Sequence, residues 1–123
     1  MPSPFVHLEL TTPDLKRAKD FYGQLCGWTF NDAPMPPPIN TYAVFNPGTG
    51  PGGGLVSMPG APTGWLAYIG VDDIHSATKK AAALGAKVIR DVEEVPGHGW
   101  MSILIDPTGA NIALWQNKGN QSS

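Results

Sequence analysis

Two residues able to do chemistry stand close together near the start of the chain, His7 and Glu9 in the stretch FVHLEL. Successive side chains of a strand alternate sides, so an imidazole and a carboxylate two residues apart share one face. Such a pair can hold a metal, contact a ligand, pass a proton to a substrate, or satisfy each other as a structural hydrogen-bonded pair. All four readings stand at this point. His75, in the first turn of an amphipathic segment, and His98, in the turn PGHG, read as solvated surface residues. Cys26 is the single cysteine, which allows no internal disulfide and no multi-cysteine zinc site. It reads as a small buried residue near a helix end. The chain has no Ser-His-Asp order, P-loop, dinucleotide fingerprint or CxxC.

Composition narrows the surroundings of this pair. The 123 residues, 41% hydrophobic with formal charge −2, suit one compact domain or two small fused modules. Eight basic against ten acidic residues, without a cluster, give no electrostatic footprint for nucleic acid. No window approaches the roughly 18 apolar residues of a membrane helix, and MPSPFVHLEL lacks the pattern of a signal peptide, so a cytoplasmic location is expected. Prolines and glycines gather in residues 31–40, 46–54 and 58–64, which read as connections.

The elements that must position His7 emerge from an internal repeat. DLKRAKDFYGQLCG (14–27) and DIHSATKKAAALG (73–85) share an opening Asp, apolar residues at helical spacing and a closing Gly. The apolar sets are Leu15, Ala18, Phe21, Tyr22 and Leu25, and Ile74, Ala77, Ala81 and Leu84. Each segment predicts an amphipathic helix, capped by Asp and ended by a left-handed Gly. Upstream lie the strands FVHLEL and WLAYIGV; downstream, 43–58 parallels 103–116, with strand, Asn-Pro or Asp-Pro turn, glycine and strand. The prediction is α+β, with two pseudo-symmetric β-α-β-β-β modules at 4–58 and 64–117 and a linker at 59–63.

This arrangement, with DL after the first strand and DPTG before the last, resembles the vicinal oxygen chelate superfamily of glyoxalases, bleomycin-resistance proteins and extradiol dioxygenases. The resemblance covers nearly the whole chain, so residues 1–123 read as a single glyoxalase/bleomycin-resistance-like domain. It implies a curved mixed sheet around a cavity, in which the family's enzymes hold one divalent metal on the first and last strands of each module. The corresponding positions are His7, Gly54, Leu66 and Ala113. One imidazole with a glycine, a leucine and an alanine makes a poor donor set for a divalent cation. No metal and no other cofactor is therefore expected, and a water-completed His7–Glu9 site is the weaker alternative.

Strand parity then selects the cavity-facing residues. With His7 inward, Phe5 and Glu9 follow, while Val6, Leu8 and Leu10 pack on the helices. The same parity selects Leu66 and Tyr68, then Asn111, Ala113 and Trp115; Tyr42 and Trp100 are added from the middle strands. The expected cavity is aromatic with few polar groups, a composition suited to a small organic molecule. For Trp65, Trp100 and Trp115, packing in a core or a dimer interface is the simpler role. The leading expectation is thus metal-free binding of a small, partly aromatic ligand, with a homodimer implied by the resemblance. The alternatives are a lyase, isomerase or dioxygenase-like enzyme using His7 or Glu9, with or without a weakly held divalent metal, and a module whose pocket is closed by its own aromatic side chains.

Overall fold

The computed structural model describes residues 3–119. The chain divides into two compact units, one of residues 7–66 and the other of 67–119 together with 3–6. The elements run β1 (Phe5–Thr11), α1 (Leu15–Cys26), β2 (Thr29–Pro34), β3 (Thr41–Asn46) and β4 (Gly53–Val56). They continue with β5 (Gly64–Gly70), α2 (Ile74–Ala83), β6 (Lys87–Val95), β7 (Gly99–Ile105) and β8 (Asn111–Asn117). The β-α-β-β-β order read from the repeat is therefore present twice.

In the first set the strands lie in the order β2-β3-β4-β1. The antiparallel run β2–β3–β4 ends on a parallel β1–β4 pair, which helix α1 makes possible by carrying the chain back across the sheet. Asp14 caps α1 by accepting from the Arg17 amide at 3.0 Å, and Gly27 ends it at φ 72°, where a side chain would be strained. Leu15, Ala18 and Tyr22 pack against buried Leu10, Ala43, Phe45 and Leu55. Leu55 is fully buried, which contributes roughly 1.5–3 kcal/mol. Trp28 stacks on Phe45 at 4.3 Å and on Tyr22 at 5.2 Å, and Trp65 meets all three rings edge-on.

The second set has the order β5-β8-β7-β6, again with one parallel pair, β5–β8. Asp73 accepts from the Ser76 amide at 3.1 Å, and the Gln116 side chain accepts from the Ile74 amide at 2.8 Å, so β8 itself satisfies an orphan donor of α2. Buried Ile74, Leu104 and Leu114 form the core. Beside them Thr78 donates to the Ile74 carbonyl at 2.7 Å and shares a 2.9 Å bond with the hydroxyl of fully buried Ser102. In the DPTG turn, Asp106 accepts from the Ala110 and Thr108 amides and the Thr108 hydroxyl. These bonds hold its carboxyl below the usual carboxylate range, the Ala110 amide contributing most.

Three local expectations need correction. Cys26 is exposed, because the last turn of α1 points it away from the sheet. Phe21 and Leu25 are 56% and 66% exposed, since the apolar stripe of α1 is wider than the sheet beneath it. Residues 31–34, taken for a connection, belong to β2, an outer strand whose terminal Pro34 costs little for its missing donor. His75 and His98 are exposed, as their settings suggested.

Candidate functional site

Strand alternation puts His7 and Glu9 on the face of β1 opposite Leu8 and Leu10, which pack on the α1 side. On β3 the same logic separates core-facing Ala43 and Phe45 from Tyr42 and Val44. Tyr42 therefore shares the face of His7 and Glu9, and its hydroxyl reaches both. It lies 2.6 Å from His7 Nε2 and donates to Glu9 Oε1 at 3.1 Å. A phenol has one proton, so with that proton on Glu9 the short contact to His7 requires an Nε2–H donor on the imidazole. Burial pushes the His7 pKa below its usual value, which favours the neutral ring.

Gly54 explains how Tyr42 gets there. It lies beside Glu9 across the parallel pair and opposite Val44 across the antiparallel one. A Cβ built on Gly54 would fall 1.8 Å from Tyr42 Cε1 and 2.3 Å from Cζ, so the phenol ring rests directly on the glycine. Any other residue at 54 would evict the ring. The arrangement is a three-residue polar chain, His7–Tyr42–Glu9, laid on an apolar strand surface.

Leu66 is half-buried on β5. Tyr68, 4% exposed, meets Trp115 edge-on at 6.4 Å and pairs with fully buried Ala113. These three lie opposite the face of Leu114 and Ile112, which pack on the α2 side. Asn111 is exposed at the start of β8. Trp100 departs from the expectation: alternation along β7 puts it with Ser102 and Leu104 on the α2 side, where it packs against the core under the Lys118 ammonium, 5.3 Å from the ring centroid. Met101 and Ile103, opposite Trp115 and Ala113, hold the positions Trp100 was assigned. Both faces of GWMSILI are apolar, so its parity had no signal in the sequence.

The donor set does not fit the divalent metal of the resembled enzymes. Gly54, Leu66 and Ala113 carry no donor side chain, the Tyr42 ring covers Gly54, and His7 Nε2 faces the Tyr42 hydroxyl. Among the described residues no three His, Cys, Asp or Glu side chains are grouped so as to hold an ion.

Two β-α-β-β-β modules, with a histidine on the uncovered face of the first strand, define a protein of the vicinal oxygen chelate superfamily. The glyoxalase-like domain model matches residues 6–115, and the chain belongs to that family. It is 35% identical over 114 residues to "Putative glyoxylase CFP32" of Mycobacterium tuberculosis, covering 89% of this chain and 44% of that protein. It is 28% identical over 123 residues to the anthracycline biosynthesis protein DnrV of Streptomyces peucetius, covering 88% and 45%. The chain thus spans about half the length of the curated relatives it matches. Among solved structures, the hypothetical protein BH1468 of Bacillus halodurans superposes with a TM-score of 0.78 over 96% of both chains at 15% identity, a likeness of fold. No helix among the described residues is long and apolar enough to cross a membrane.

Proposed function

We propose that this glyoxalase-like domain binds a small, partly aromatic organic molecule without a divalent metal, through the sheet faces its helices leave uncovered. The observation that carries the reading is the His7–Tyr42–Glu9 chain, a set of polar groups on an otherwise apolar face, in a family domain lacking three of four metal donors. Apolar walls supply affinity and a few fixed polar groups set orientation. In the second unit half-buried Trp115 offers an apolar contact of similar chemistry, with Tyr68 and Ala113 buried beside it as its support. Leu66 and Asn111 complete the proposed contact set, from which Trp100 is withdrawn.

Ligand binding to the folded state raises the melting temperature, so a thermal-shift screen of small aromatic and planar acids, quinones and amides, run in chelator, tests the reading. A hit that stabilises the wild type, and loses that effect in a folded His7→Ala variant, supports it. Stabilisation only when Ni, Zn, Mn or Fe is added contradicts it.

A second reading is favoured by the neutral His7 in a continuous hydrogen-bonded chain: an enzyme of the superfamily in which His7 or Glu9 takes a proton from the ligand. Turnover abolished by His7→Ala or Glu9→Ala, with affinity retained, identifies it. The chain is also proposed to form a homodimer, with exposed Phe21 and Leu25 of α1 as apolar surface available to a second copy. Sedimentation at micromolar concentration, compared with a Phe21→Ser/Leu25→Ser variant, tests this.

A further inference from the structure

Gly54 and Tyr42 fit each other in a way neither residue alone explains. Gly54 stands where the resemblance implies one of the family's four metal-ligand positions, and it is the residue on which the Tyr42 ring lies. His7 occupies another, and its Nε2, the atom facing the cluster, is 2.6 Å from the Tyr42 hydroxyl. The same hydroxyl reaches Glu9, which pairs with Gly54 across β1 and β4. We propose that Tyr42 is a positioning residue that does in this chain what a metal ion does in the family's enzymes, fixing His7 and Glu9 in place, and that Gly54 is the substitution that admits it.

The inference rests on the metal-free reading given above and extends it to particular residues. A metal positions its ligands by accepting their lone pairs; the phenol positions them by accepting a hydrogen bond from the imidazole Nε2–H and donating one to the carboxylate, every proton staying where it is. The ring fills the volume of a missing side chain, and the hydroxyl stands between the two groups that need orienting. The bare Cα at position 54 and the phenol lying on it are thus two parts of one fit. The functional consequence is a site presenting a neutral His7 of fixed tautomer with the Glu9 carboxylate beside it, suited to a ligand with its own hydrogen-bonding edge, such as a phenol, quinone or amide.

The test is a double-mutant cycle on the full chain, read by thermal unfolding and by 15N NMR of the His7 imidazole. Gly54→Ala in the Tyr42 background forces the ring off the sheet and lowers the melting temperature by roughly 5–10 °C. In a Tyr42→Ala background the same change costs nothing, because the ring is gone. Tyr42→Phe, which keeps the ring and loses the hydroxyl, and Gly54→Ala, which displaces both, each abolish the protonated-Nε2 signature of His7; Tyr22→Phe, on the α1 side of the same sheet, leaves it intact. An equal cost of Gly54→Ala in both backgrounds, or a His7 signal indifferent to Tyr42→Phe, overturns the inference. If Gly54→Ala alone does not fold, its rescue by Tyr42→Ala supports the inference and the Tyr42→Phe spectrum still decides it. Zinc titration of the wild type separates the two proposals. One tightly bound equivalent that deprotonates His7 Nε2 sinks the metal-free reading, whereas failure of the cycle in a chain that binds no zinc sinks only the role given to Tyr42.

Discussion

Replacing Thr78 by Val should destabilise the second unit more than replacing Ser102 by Ala, and the double variant should recover part of the loss. Thr78 Oγ1 has one proton and gives it to the Ile74 carbonyl at 2.7 Å, so the 2.9 Å bond to Ser102 takes its proton from Ser102. Ser102 is fully buried and Thr78 is 3% exposed, so water cannot replace a lost partner without opening the core. Thr78→Val leaves the Ser102 hydroxyl without that acceptor, a cost of about 2 kcal/mol. Ser102→Ala removes the donor and leaves the Thr78–Ile74 bond intact, at about 1 kcal/mol. With both hydroxyls gone no buried donor is stranded, and the double variant should fall about 1–2 kcal/mol short of additivity. Urea unfolding followed by circular dichroism measures all four corners of the cycle. Strict additivity, or a larger loss for Ser102→Ala than for Thr78→Val, refutes the assignment of donor and acceptor.

Two further outcomes follow from the side chains described. Burial lowers the His7 pKa in the folded state, so the unfolded chain binds more protons than the native one between that value and the ordinary 6.5. Stability should therefore be at its full His7 level above pH 6.5 and fall as pH drops through this window, and His7→Gln should remove that part of the slope in urea titrations; an unchanged slope contradicts the burial argument. Cys26 is exposed at the end of α1, so it should react completely with a thiol reagent such as dithionitrobenzoate in the folded protein, without urea. Reaction only on unfolding would show the thiol to be covered.

The parts of the fold that are written twice were the parts most legible in the sequence. Asp14 and Asp73 mark both helix starts because their side chains satisfy amides three residues on, and that chemistry is local. Gly27 and the DPTG turn were readable for the same reason. The His7–Glu9 pair was visible from alternation alone, since Leu8 and Leu10 between and beside them had to be buried. The role of Tyr42 was not visible: it depends on strand register across β3, β4 and β1, which sets its ring over Gly54. Trp100 was misplaced because both faces of β7 are apolar, and its true side is fixed by the Thr78–Ser102 bond to α2. Phe21, Leu25 and Leu84 are exposed although they lie on apolar stripes, because helical periodicity does not give the width of the surface that covers a stripe; Cys26 is exposed because the burial habit of lone cysteines says nothing of where a helix end points.

The central claim, a glyoxalase-like domain whose site is built from His7, Tyr42 and Glu9 in place of a metal, is tested most directly by metal stoichiometry. The full chain, purified without chelator and then dialysed against micromolar Ni, Zn, Mn and Fe(II) in turn, is assayed by inductively coupled plasma mass spectrometry. With no donor set to hold an ion, well under about 0.1 equivalent of any of them should remain bound. One equivalent retained through dialysis, and lost together with function in His7→Ala, would contradict that claim.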